Sequence, residues 1–102
     1  MRNARKIVLV IEDEEDFRQL LSLRLRSAGL KVLIACDGEQ GLRLAKERIP
    51  DVILLDLNLP RLSGEEVCKA LKEGDDKTLA QIPIIMLTAK DSDVDHVIGK
   101  SL

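Results

Sequence analysis

Two acidic residues, Glu12 and Asp13, directly follow the aliphatic run Ile7-Val8-Leu9-Val10-Ile11, and a third, Asp56, directly follows Val52-Ile53-Leu54-Leu55. Carboxylates at the ends of buried apolar segments are costly to keep ionised unless hydrogen bonds or a cation compensate them. If the two segments are neighbouring strands, the three acids converge. Like charges that close repel by several kcal/mol, even at an effective dielectric of about 20. Either protons are taken up or a cation sits between them. An all-oxygen donor set suits a hard, hydrated cation, Mg²⁺ rather than Zn²⁺. A carboxylate beside Mg²⁺ can attack phosphorus and form an acyl phosphate, with the metal offsetting the charge of the phosphoryl group. Thr88 follows the run Ile84-Ile85-Met86-Leu87 and would offer a hydroxyl to a phosphoryl oxygen.

Other polar residues have simpler readings. Glu14, Glu15 and Asp16 are acids where a helix begins, which the helix dipole favours, and they are given no part in the site. Asp37 reads as a turn or N-cap residue. Cys36 and Cys68 are too few and too far apart for a disulfide framework or a zinc ribbon, and they read as buried thiols of a reducing cytosol. His96, the lone histidine, reads as a solvent-facing residue of a late helix.

The elements that must position the acids follow from the apolar pattern. The runs Ile7–Ile11, Val32–Ala35, Val52–Leu55 and Ile84–Leu87 are short, mostly aliphatic and lack polar alternation. Such runs read as strands buried on both faces, which means a parallel sheet. Helical spacing separates them. Phe17, Leu20, Leu21, Leu25 and Ala28 mark the first helix, closed by Gly29. Leu42, Ala45 and Ile49 mark a second from Gly38, ending before Pro50. Val67, Ala70 and Leu71 mark a third, with Ser63 and Glu66 in a capping-box pattern. Val94, Val97 and Ile98 mark a fourth from Asp91. The stretch Glu73 to Thr78 reads as a polar loop. Strands alternating with helices give an α/β fold, a doubly wound parallel sheet with right-handed crossovers. Ligands of such sheets sit outside the carboxyl ends of the strands, where the acids lie.

Composition removes other classes. The 102 residues fit one domain, and 45% hydrophobic with 33% charged residues is neither a disordered tail nor a membrane span. Sixteen Lys+Arg against eighteen Asp+Glu leaves a net charge of −2, so direct nucleic-acid binding is not expected. Phe17 is the sole aromatic, too few for base stacking or for the walls of a flavin site. The first apolar run is too short for a signal peptide core, so the expected location is cytoplasmic, with no membrane partner.

Several motifs together carry a resemblance over the whole chain. They are Ile7 to Ile11 followed by Glu12-Asp13-Glu14; Ala35-Cys-Asp-Gly-Glu39 leading to Gly41; Pro50-Asp51-Val-Ile-Leu-Leu-Asp56; Asn58-Leu-Pro60 with Gly64; and Pro83-Ile-Ile-Met-Leu-Thr-Ala-Lys90. In order and spacing the sequence resembles the receiver domain of two-component response regulators, a flavodoxin-like fold shared with the chemotaxis response regulator. The resemblance implies that Asp56 is the phospho-acceptor. It implies Mg²⁺ held by Asp13, Asp56 and the backbone carbonyl of Asn58, with Glu12 acting through water where many relatives carry Asp. Thr88 is then the switch hydroxyl, Ala89 leaves it room, and Pro60 and Gly64 shape the loop after the acceptor. The implied phosphoryl source is a sensor histidine kinase or a phosphotransfer protein, docking on the first helix near Phe17, Arg18 and Leu21.

Receivers usually continue into a fifth strand, ending in a Lys, and a fifth helix. Lys90 follows the switch pair and Lys100 lies in helical context, so neither matches that Lys, and the family Lys is missing. The expectation is therefore a receiver domain over residues 1–102, C-terminally incomplete, with strand order 2-1-3-4 and the fifth βα unit missing. Strand four would lie at an edge beside an uncovered sheet face, which favours a homo-oligomer or swapped dimer. Phosphorylation would be slow without the Lys, whose loss costs a few kcal/mol of transition-state stabilisation.

Two other functions are compatible with the same acids. One is an interaction module that no longer takes a phosphoryl group. The other is a Mg²⁺-dependent phosphohydrolase with Asp56 as nucleophile. Haloacid-dehalogenase-like phosphatases place an Asp general acid two residues on, where this chain has Asn58, a residue that cannot exchange a proton.

Overall fold

The computed structural model describes residues 5–87. Their elements run β1 (Ile7–Ile11), α1 (Glu15–Ser27), β2 (Lys31–Ala35), α2 (Gly38–Arg48), β3 (Val52–Asp56), α3 (Gly64–Lys72), α4 (Lys77–Ala80) and β4 (Ile84–Leu87). The four strands form one parallel sheet in the order β2-β1-β3-β4. The strand order and the α/β class expected from sequence are therefore observed. The helix expected from Asp91, with His96 and Lys100, lies outside the described residues.

Alternation along each strand sends side chains to two cores. Leu9, Ile11, Ile53 and Leu55 pack with Ala45 of α2, Val67 and Leu71 of α3 and Leu79 of α4. Val8, Val10 and Val32 face the other way and pack against Leu21 and Leu25 of α1. Strands β1 and β3 are central, which is why their residues read as unbroken aliphatic runs. The outer strand β4 departs from that reading, since Ile85 is 46% exposed. It lies opposite Leu54, on the sheet face that carries α1.

Local chemistry sets the helix ends. Asp37 caps α2 by accepting the Gln40 N–H at 2.8 Å. Ser63 and Glu66 form the reciprocal capping box at α3, as their spacing predicts. Gly29 follows α1 with φ +91°, a conformation that costs glycine nothing. Helix α2 ends at Ile49 in the left-handed region, so Ile49 is a 40%-exposed cap rather than a core-facing position. Leu20 of α1, also counted in the apolar stripe, is 47% exposed. The stripe that reaches the sheet is Leu21 and Leu25, with Ser22 buried beside them.

The polar stretch Glu73 to Thr78 is not all loop. Asp76 accepts the N–H groups of Thr78 and Leu79, starting the single turn of α4, and Leu79 is buried in the larger core. Lys72 ties this turn back to α3, its Nζ donating to the carbonyls of Ala80 and Ile82. The thiols also depart from expectation. Cys36 is exposed because it lies just past the end of β2, and Cys68 on α3 is only half-buried. Among the described residues no helix is long and apolar enough to cross a membrane.

Candidate functional site

Register brings the acids together. Ile11 of β1 lies beside Leu55 of β3, so the next residues, Glu12 and Asp56, leave the sheet side by side. Both are buried, at 0% and 1% exposure, and Asp13 beside them is open to solvent. One carboxylate oxygen from each of Glu12, Asp13 and Asp56 lies within 4.8 Å of the others. The convergence expected from the strand ends is present.

Backbone donors orient the Glu12 and Asp56 carboxylates. The Glu14 N–H donates to Glu12 Oε2 at 2.9 Å, and the Glu12 N–H donates to the Ala35 carbonyl at 3.1 Å, which fastens this corner to β2. The Asn58 N–H donates to Asp56 Oδ1 at 3.0 Å in a tight turn of the Asx type. The Leu57 N–H is taken by the Leu87 carbonyl at 2.9 Å, so the residue after Asp56 is anchored to the end of β4. The Gly64 N–H then closes the loop onto the Leu57 carbonyl at 3.2 Å. A Cβ at Gly64 would overlap the Asp56 carbonyl, so a side chain there would push the loop off the strand end.

The donor set fits a hard cation. Two buried carboxylates at this separation repel by about 3 kcal/mol if both are ionised at an effective dielectric near 20. A divalent ion reverses the sign of that interaction. Three carboxylate oxygens with an open, solvated side match an ion that is held by few carboxylates and keeps several waters. Nothing softer than oxygen belongs to the group.

Asp37 is outside the cluster and serves α2, with a 3.5 Å ion pair to the largely exposed Arg61. Arg61 follows the exposed Pro60 and has φ +62°, so the loop takes a left-handed turn at a non-glycine residue. Glu14 is the N-cap position of α1, with Glu15 and Asp16 in the first turn, as helix-start acids should be. Thr88, Ala89 and Lys90 lie outside the described residues. Sequence reasoning gave Arg18 no part in the site, yet its Nη1 donates to the Glu12 carbonyl at 3.0 Å and to the Asp13 carbonyl at 3.4 Å. Its spacing from the two acids, one helical turn into α1, is the only signal that could have pointed to it.

The response regulator receiver domain family matches residues 8–101. The chain belongs to that family. Two curated relatives agree. One is the alkaline phosphatase synthesis transcriptional regulatory protein PhoP of Bacillus subtilis, 44% identical over 97 residues, covering 95% of this chain and 39% of the relative. The other is the transcriptional regulatory protein AfsQ1 of Streptomyces coelicolor, 44% identical over 92 residues, covering 90% of this chain and 39% of the relative. The receiver chain thus spans about two fifths of the length of these relatives. Among solved structures, the chemotaxis protein CheY4 of Vibrio cholerae superposes with TM-score 0.79 at 35% identity, covering 96% of this chain and 80% of that one. The receiver domain of the sensor histidine kinase PA1611 of Pseudomonas aeruginosa, solved with a magnesium ion coordinated in its active site cleft, gives TM-score 0.79 at 30% identity. It covers 94% of this receiver and is itself covered over 79%. The four-stranded parallel sheet is thus the flavodoxin-like sheet of the receiver family, and the acidic cluster lies where such sheets take ligands.

Proposed function

We propose that residues 1–102 form a phospho-accepting receiver domain in which Asp56 takes a phosphoryl group from the phosphohistidine of a sensor histidine kinase or phosphotransfer protein. The observation that carries this reading is the meeting of three carboxylates from two adjacent strand ends within 4.8 Å. The magnesium ion in the PA1611 receiver supports Mg²⁺ as the ion. Asp13, Asp56 and the backbone carbonyl of Asn58 would hold it, with Glu12 acting through water. A bound Mg²⁺ offsets the negative charge of the incoming phosphoryl oxygens.

The chain's own residues do the rest. A carboxylate oxygen of Asp56 is the attacking atom, in a side chain oriented by the Asn58 N–H on Oδ1. It bonds to phosphorus as the P–N bond to the donor imidazole breaks, and the imidazole leaves with that electron pair, giving an aspartyl phosphate. Glu12, buried and held by the Glu14 N–H, keeps the pocket floor acidic without being displaced. Thr88 and Ala89 complete the reading as switch hydroxyl and the small neighbour that lets it turn. Gly64 keeps the loop close under Asp56, and Pro60 shapes its path. The setting is cytoplasmic, with no direct contact to nucleic acid or membrane.

The test uses the 102-residue chain, Mg²⁺ and a small-molecule phosphodonor such as acetyl phosphate, read by intact mass. The expected result is addition of one phosphoryl group, lost when Mg²⁺ is chelated and lost in Asp56→Asn. An unchanged mass, or equal modification of Asp56→Asn, would contradict the assignment and favour a module that acts by contact alone.

A further inference from the structure

The Arg18 side chain holds two successive carbonyls of the corner between β1 and α1. Its guanidinium Nη1 donates to the oxygens of Glu12 at 3.0 Å and Asp13 at 3.4 Å, while its backbone N–H makes the ordinary first helical bond to the oxygen of Glu14 at 2.9 Å. The side chain is half-buried and lies a turn into α1, whose packing on the sheet fixes its origin. Both bonds come from the one Nη1 amino group, which the planar, permanently charged guanidinium holds in a fixed direction.

We propose that Arg18 is a positioning residue for the cation site. It clamps the main chain of Glu12 and Asp13 so that their carboxylates face Asp56. The inference rests on the Mg²⁺ reading above. The arrangement is otherwise puzzling, because a fixed positive charge near a cation site lowers cation affinity by simple repulsion. An arginine kept there must contribute more through geometry than it costs through charge. Asp13 is the exposed member of the cluster, and one of the two carbonyls that Arg18 binds is its own. Outer hydrogen bonds that orient metal ligands typically change metal affinity by about 10–100-fold.

The two roles of Arg18 predict opposite signs, which makes the test decisive. Mg²⁺ is titrated into the 102-residue chain and into Arg18→Gln and Arg18→Lys, followed by amide NMR shifts. The expected result is Mg²⁺ binding weakened about tenfold in Arg18→Gln, the lower end of that range. Arg18→Lys keeps the charge but not the planar group that aims Nη1 at both carbonyls, and should recover only part of the loss. Gln19→Ala removes a surface contact to Glu15 on the same helix and should leave affinity unchanged. Unchanged or tighter binding in Arg18→Gln would overturn the proposal.

Hydrogen exchange in the metal-free chain gives a second readout. Exchange of the Glu14 amide should quicken in Arg18→Gln while amides of β1 and β3 keep their protection. Uniform acceleration along the chain would mean that Arg18 merely stabilises the fold, and would also overturn it. If the unsubstituted chain binds no Mg²⁺, the reading of the site fails. The exchange comparison still decides whether Arg18 holds the corner.

Discussion

Gly64 and Arg61 show how closely the loop after Asp56 is drawn. Gly64 sits where any Cβ would collide with the Asp56 carbonyl. Gly64→Ala is expected to cost about 1–3 kcal/mol in chemical denaturation. It should weaken Mg²⁺ binding as well, because the collision displaces the acceptor's own backbone. Arg61 has the opposite sign. Its φ of +62° is unfavourable for a residue with a Cβ, and its ion pair with Asp37 is exposed and 3.5 Å long. Arg61→Gly should therefore stabilise the fold by roughly 0.5–1 kcal/mol, seen as a rise in the denaturation midpoint. Asp37→Ala separates capping from site chemistry. The expected loss is about 1 kcal/mol of stability, from the missing bond to the Gln40 N–H, with Mg²⁺ binding unchanged. The acids themselves were legible in the sequence because each directly follows an aliphatic run, an environment that has to be compensated. Arg18 was not legible in this role, because its partners are main-chain carbonyls, which leave no mark in residue types.

At the scale of elements, strands were easier to read than helix surfaces. Central strands of a parallel sheet are covered on both faces, so Leu9, Val10 and Ile11 had to be aliphatic together. Helix stripes are less exacting. Leu20 satisfied the period of α1 yet faces largely outward, while Ser22, without any hydrophobic signal, is buried against the sheet. Turn chemistry also hid α4. Asp76 reads as one more loop acid until Leu79 is seen to anchor the following turn in the core. The capping box was legible because both of its partners are in the sequence at a fixed spacing. Ser63→Ala should cost about 1 kcal/mol. Since α3 starts from the loop that closes under Asp56, the same change should loosen the Gly64 N–H bond to Leu57, measurable as faster exchange of that amide.

Across the whole molecule, the parallel topology does the gathering. Every strand that begins at one side of the sheet ends at the other, so acids at the ends of β1 and β3 meet although 42 residues lie between Asp13 and Asp56. The helices contribute by leaving that edge open. The described sheet ends at β4, whose Ile85 is 46% exposed on the α1 side. The central claim is that the three carboxylates act together on one cation. Titration of Mg²⁺ into the ¹⁵N-labelled chain tests it most directly. The account predicts saturable amide shifts confined to Glu12, Asp13 and Asp56 to Asn58, abolished in Asp13→Asn. Shifts absent from these residues, or unaltered in Asp13→Asn, would contradict it.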